Sequence, residues 1–148
     1  MAETVLRAEL AAAGLDGAVV VDSAGTGDWH IGDAMDPEAR SALASRGHDG
    51  SGLETHRARQ FERSWLSRYD LILAMDTRNL VDLRRIARGS ADADRIRLFG
   101  KEGGLGDTSD IPDPWGGGPD EFGHVLDLLA AAAPVIAARL ARLLETDG

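Results

Sequence analysis

No cysteine occurs among the 148 residues. The chain therefore offers no disulfide, no thiolate metal site and no cysteine nucleophile. Lysine is nearly as scarce: Lys101 is the only one, so almost all positive charge is arginine. Acidic residues outnumber basic ones by 25 to 16, giving a formal net charge of −9 and a pI near 4.8. Binding a nucleic-acid backbone needs a basic face, and this balance argues against it. The acidity reads as solubility. No apolar run reads as long enough to span a membrane. No basic start followed by an apolar stretch marks a signal peptide, so a cytoplasmic protein is expected. There is no Walker A motif and no G-x-G-x-x-G fingerprint. His30, His48 and His124 are scattered without metal-ligand spacing, so neither a metal nor a cofactor is expected.

Hydrophobic residues make up 43% and charged residues 28%, the balance of a globular chain of a size for one domain and one core. Short apolar runs alternate with helical segments, which predicts an α/β fold with a doubly wound parallel sheet flanked by helices. The spacing of Val5, Leu6 and Leu10 predicts a helix over 2–13, stopped by Gly14. Residues 18–21, Ala-Val-Val-Val, read as a buried strand, followed by a loop from Ser23 to Trp29. Asp36-Pro37 starts a helix that ends near Gly47, and residues 61–68 read as a short helix. Residues 71–75 (LILAM) predict a second strand. Asp76 caps the next helix, with Leu80, Leu83 and Ile86 as its stripe. A third strand is expected over 96–99, then a long glycine-rich loop over 100–119. A last helix starts near Asp120, with a kink at Pro134. The first helix has no strand before it, so the usual first strand and first βα turn of such a fold are missing. That turn is a preferred place to hold phosphate.

In open α/β sheets ligands bind outside the carboxyl ends of the strands. The loops there carry Asp28, Trp29, Asp76, Asp113 and Trp115. Asp113 lies between Pro112 and Pro114 and beside an indole. A stiff, low-dielectric setting of that kind raises a carboxyl pKa and suits a general acid; the same residues also read as an ordinary turn aspartate. Trp29 and Trp115 read either as facing walls for an aromatic substrate or as covers for core at two loop bases. Trp65 reads as a packing residue. Asp76 is a helix cap that can also orient a neighbouring loop. His56, in Thr-His-Arg-Ala-Arg-Gln, either bonds a phosphate loop or has no role.

Taken in order, Met1-Ala-Glu3, Asp22-Ser-Ala-Gly-Thr-Gly-Asp-Trp29-His, Asp36-Pro, His56-Arg-Ala-Arg-Gln60, Leu73-Ala-Met-Asp76 with Asn79-Leu80, and Asp113-Pro-Trp115 resemble the low-molecular-weight protein tyrosine phosphatases along nearly the whole chain. The resemblance implies a four-stranded parallel sheet. It also implies a phosphate loop, C-x5-R-S, before the Met-Ala-Glu start of the first helix. That loop is not in the sequence, so residues 1–148 are expected to be a single domain incomplete at its amino end and, made as written, inactive. For the complete enzyme the resemblance implies phosphomonoester hydrolysis through a phosphocysteine intermediate. Asp113 would be the general acid, Trp29 and Trp115 would flank the entrance, and Ser23, His56 and Asp76 would support the phosphate loop. It implies a phosphotyrosine protein or an aryl phosphate as partner, and neither nucleic acid nor membrane. Where the family has a second aromatic after Asp-Pro, Gly116 follows Trp115, a feature shared with the related protein-arginine phosphatases. A non-catalytic pseudophosphatase that binds a partner is the main alternative. The arsenate reductase branch uses further cysteines, which this sequence does not hold.

Overall fold

The computed structural model describes residues 1–50, 52–89, 91–106 and 109–147. Apolar spacing builds the first helix as predicted: α1 (Ala2–Ala12) buries Val5, Leu6 and Leu10, and Gly14 follows its end at φ 73°. α2 (Pro37–Ser45) starts with Pro37 in its first turn, and the Asp36 carboxylate accepts the Glu38 N–H at 2.8 Å. A single turn, α3 (Gly52–Thr55), buries Leu53. β1 (Ile72–Ala74) leads into α4 (Thr77–Ile86), which Asp76 caps by accepting the Asn79 N–H at 2.7 Å. β2 (Ile96–Leu98) runs directly into the short α5 (Phe99–Glu102), and α6 (Pro119–Asp147) closes the chain.

β1 and β2 pair in parallel, Ile72 opposite Ile96 and Ala74 opposite Leu98. Because side chains alternate along a strand, the pair separates two cores. Ile72, Ala74 and Ile96 pack with Leu80, Leu83 and Ala87 of the α4 layer. Leu73 and Met75 face the larger core, where α1, α2 and α5 lie against α6. Helices thus cover both faces of a parallel sheet, the α/β arrangement predicted.

Four expectations need correction. Residues 18–21 do not form a strand. Val19 and Val21 lean on the larger core and Val20 points out, 83% exposed. The alternation is that of a strand, but the Ala18 and Val19 amides turn back to the Leu15 carbonyl and no ladder pairs with the segment among the described residues. Among the described residues the parallel sheet therefore has two strands. Of the helix read over 61–68, only a 3-10 turn at Arg63–Trp65 forms. The segment after β2 begins as α5, because burial of Phe99 in the core with α6 and the close approach of Gly103 to Ala132 outweigh the glycine signal. Finally, α6 has 29 residues and an apolar window of mean hydropathy 1.5, long and apolar enough by length and composition to cross a membrane. Its apolar face, including Val125, Leu126, Leu129 and Ile136, lies in the larger core, which accounts for that composition in a core helix. α6 runs as one helix through Pro134, which has no N–H to offer the preceding turn.

Candidate active site

The carboxyl end of β1 and the start of α4 form one support. From there the chain at 109–111 is drawn in: the Ile111 N–H donates to the Met75 carbonyl at 2.7 Å, and the Ile111 side chain is buried. The Asp110 carboxylate accepts from the Thr77 N–H at 3.1 Å and its hydroxyl at 2.8 Å. Beyond this point the loop carries Asp113 outward. Asp113 is exposed, and its carboxylate accepts the Trp115 N–H at 3.0 Å. The apolar enclosure expected around this carboxyl is thus not built. Gly116, at φ 81°, reverses the chain as only glycine does at no steric cost, and the Gly117 N–H donates to the Pro114 carbonyl. Asp113 and Trp115 line one side of a cleft of about 390 Å³ whose other side is Asp120, Glu121, His124 and Val125 of α6.

Trp29 sits on the loop between Ser23 and α2. This loop is tied down by Gly25 N–H to the Arg59 carbonyl and Gly32 N–H to the Ala58 carbonyl. Both indoles stand in solvent, Trp29 at 76% and Trp115 at 66% exposure, so neither covers core. His30 joins them: its ring centroid lies 5.7 Å from that of Trp115 and 6.4 Å from that of Trp29. Its Nδ1 is 3.2 Å from Asp33. Trp65 packs instead on Phe61 and under the Arg59 guanidinium.

Ser23 and His56 come together around a residue that sequence reasoning gave no role. The Ser23 hydroxyl donates to Glu3, Arg7 pairs with Glu3 at 2.9 Å, and His56 Nδ1 lies 3.8 Å from the same carboxylate. Burial pushes the His56 imidazole below the ordinary histidine value. Glu3 opposes that shift, while the Met1 amino group, Arg59 and Arg7 add to it. Arg7 also donates to the Val21 carbonyl and Arg59 to that of Ser23, so the extended segment ends in a small charged cleft. Among the described residues Asp76 bonds to neither group; its carboxylate is spent on the α4 cap, beside the Asp110–Thr77 contact. Two signals for the missed residues were in the sequence. Glu3 and Arg7 are spaced i, i+4 on α1, and His30 is the neighbour of Trp29.

The family model of the low molecular weight phosphotyrosine protein phosphatases matches residues 1–145. A low molecular weight protein-tyrosine-phosphatase of Streptomyces coelicolor is 42% identical over 147 residues, covering 98% of this chain and 87% of its own. A low molecular weight phosphotyrosine protein phosphatase of Schizosaccharomyces pombe is 37% identical, over 83% of this chain and 76% of its own. The crystal structure of a protein tyrosine phosphatase from Entamoeba histolytica superposes with a TM-score of 0.87 at 27% identity, over 95% of this chain and 87% of that one.

Proposed function

Because the chain belongs to the low molecular weight phosphotyrosine protein phosphatase family, we propose that its site residues serve the hydrolysis of phosphotyrosine in proteins, with Asp113 as general acid. The observation that carries this reading is the joining of Asp113 to Trp115, and of Trp115 through His30 to Trp29, at one mouth. A carboxyl beside exposed aromatic walls suits an aryl leaving group.

The chemistry runs in two steps. In any form that carries the family's phosphate loop, its cysteine thiolate attacks phosphorus, an S–P bond forms, and the P–O bond to the tyrosine breaks while Asp113 gives its proton to the departing phenolate. Water then attacks the phosphocysteine, Asp113 takes the water's proton, and the S–P bond breaks to release phosphate and thiolate. In that form Trp29 and Trp115 flank the aryl ring, and Ser23, His56 and Asp76 support the phosphate loop. The cytoplasm, which keeps thiols reduced, suits such a nucleophile. The single aromatic after Asp-Pro, with Gly116 behind it, leaves the mouth open on one side.

The 148 residues contain no thiol. Made as such, the polypeptide is expected to hydrolyse p-nitrophenyl phosphate no faster than background. Turnover that disappears in the Asp113→Ala variant would defeat that expectation. For any longer form that carries a phosphate loop, Asp113→Ala lowers kcat/KM on phenyl phosphate, which reports the P–O cleavage step alone, by about 10²–10⁴-fold, the usual contribution of a general acid. The loss on p-nitrophenyl phosphate is much smaller, since nitrophenolate leaves without a proton. Equal losses on both substrates would remove Asp113 from the acid role. The non-catalytic alternative gains little from the charged cleft. Arg7 is paired with Glu3 and Asp22, and Arg59 lies over Trp65, so these cations are already engaged.

A further inference from the structure

Asp113 makes no hydrogen bond outside its own loop among the described contacts: its carboxylate binds only the amide two residues on. Whatever holds it in place must act through the backbone on either side. After Asp113 the fixed points are local. They are the turn closed by Gly117 N–H to Pro114, and the Gly118 N–H donating to Glu121 of α6 at 2.8 Å. Before Asp113 they are long-range and concentrated. Gly100 leaves room for the Ser109 carbonyl, where any side chain would collide. Asp110 reaches across 33 positions to Thr77, and Ile111 hangs from Met75 with its side chain in the core.

α4 does not need Asp110 as its cap. Asp76 already caps it through the Asn79 N–H, and Asp110 takes the separate Thr77 amide and hydroxyl. The Asp110 contact therefore fixes the loop to the helix more than the helix to itself. From there to the acid, Pro112 and Pro114 hold φ on both sides of Asp113, so the direction set at Asp110–Ile111 is carried to the carboxyl with little loss.

We propose that Asp110 is the positioning residue of the acid loop, clasping it to the amino end of α4 through Thr77 so that Asp113 and Trp115 stand at the mouth. The proposal rests on the reading of Asp113 as the general acid. The charge-assisted bonds favour one loop path, and the positive end of the helix favours the carboxylate there.

The test uses the 148-residue chain labelled with 5-fluorotryptophan, whose three ¹⁹F signals are assigned by single Trp→Phe changes. In Asp110→Ala the Trp115 signal shifts or broadens, Trp29 follows more weakly through His30, and Trp65 stays. Amide exchange of Ile111 quickens by about tenfold, the scale expected for loss of a charge-assisted hydrogen bond. The melting temperature changes little, because Asp76 still caps α4. Asp110→Asn restores the Trp115 signal, since one oxygen, Oδ1, makes both bonds. An unchanged Trp115 signal with wild-type Ile111 exchange in Asp110→Ala would overturn the proposal. So would movement of all three signals with a lowered melting temperature, which marks a general structural role, or failure of Asp110→Asn to restore. None of these readouts needs catalysis. Failure of the acid reading shows separately, in the leaving-group dependence of Asp113→Ala.

Discussion

At Glu3 a single carboxylate serves three partners. It accepts from the Ser23 hydroxyl, pairs with Arg7 and faces His56, with its side chain 15% exposed. Its charge is the main influence that holds the His56 pKa up against burial. Glu3→Gln is therefore expected to lower the His56 pKa further, read by following the ring protons with pH in NMR. An unchanged titration would show that Glu3 does not act on the ring. The sign for stability follows from the direction of the shift. A histidine whose folded-state pKa is depressed binds fewer protons folded than unfolded, so its neutral form costs nothing above the ordinary histidine value. Stability is then lost as pH falls through the window between that value and the lower folded one. Glu3→Gln extends that window to the acid side, and denaturant midpoints measured across it should fall further than in the wild type. Trp29, Asp76, Asp113 and Trp115 were legible as residue types on the loops, Ser23 and His56 through the family resemblance. For Glu3 and His30 the sequence held only the spacing and the adjacency, not the partners, because nothing in a linear pattern says that an i, i+4 glutamate will meet a serine twenty positions away or that His30 will reach Trp115.

Among the elements, α5 and α6 approach so closely that the contact depends on glycine. A Cβ placed on Gly103 would lie 2.6 Å from the Ala132 Cα and against its Cβ. Both are fixed by helix backbone, so neither can swing aside. Gly103→Ala is expected to cost about 1–3 kcal/mol, the usual penalty of overpacking a well-filled contact, measured by urea unfolding. A neutral result would mean that α5 shifts freely on α6. Helix starts were readable because capping is a local matter: Asp36 and Asp76 each accept an amide within three residues, and Pro37 sits in the first turn. α5 was not readable. Its four residues lack a side-chain cap bond and a periodic stripe, and they are helical because Phe99 is buried in the core with α6. The strand expected at 18–21 failed for a related reason. Strand pairing is a property of two segments, and residue pattern supplies only one of them.

For the whole molecule α6 is the common wall: α1, α2 and α5 all pack on it, and Leu129 at its middle is 1% exposed. Leu129→Ala is expected to cost about 2–5 kcal/mol, the range for truncating a fully buried leucine. That is a large part of a domain's usual net stability of about 5–15 kcal/mol. Val135→Ala, 37% exposed on the same helix, should change stability far less. Equal urea midpoints for the two variants would contradict a core centred on α6. The sequence by itself determined the helices with caps and stripes, the two paired strands, the α/β class and the family, because each of these rests on local spacing or on motifs kept in order. Only the tertiary structure decided that residues 18–21 stay unpaired, that Glu3 gathers Ser23, Arg7 and His56, that His30 bridges the two indoles, and that Asp110 clasps Thr77. Those contacts join positions far apart in the chain, and their partners are chosen by how the helices pack around the sheet, which no local pattern encodes.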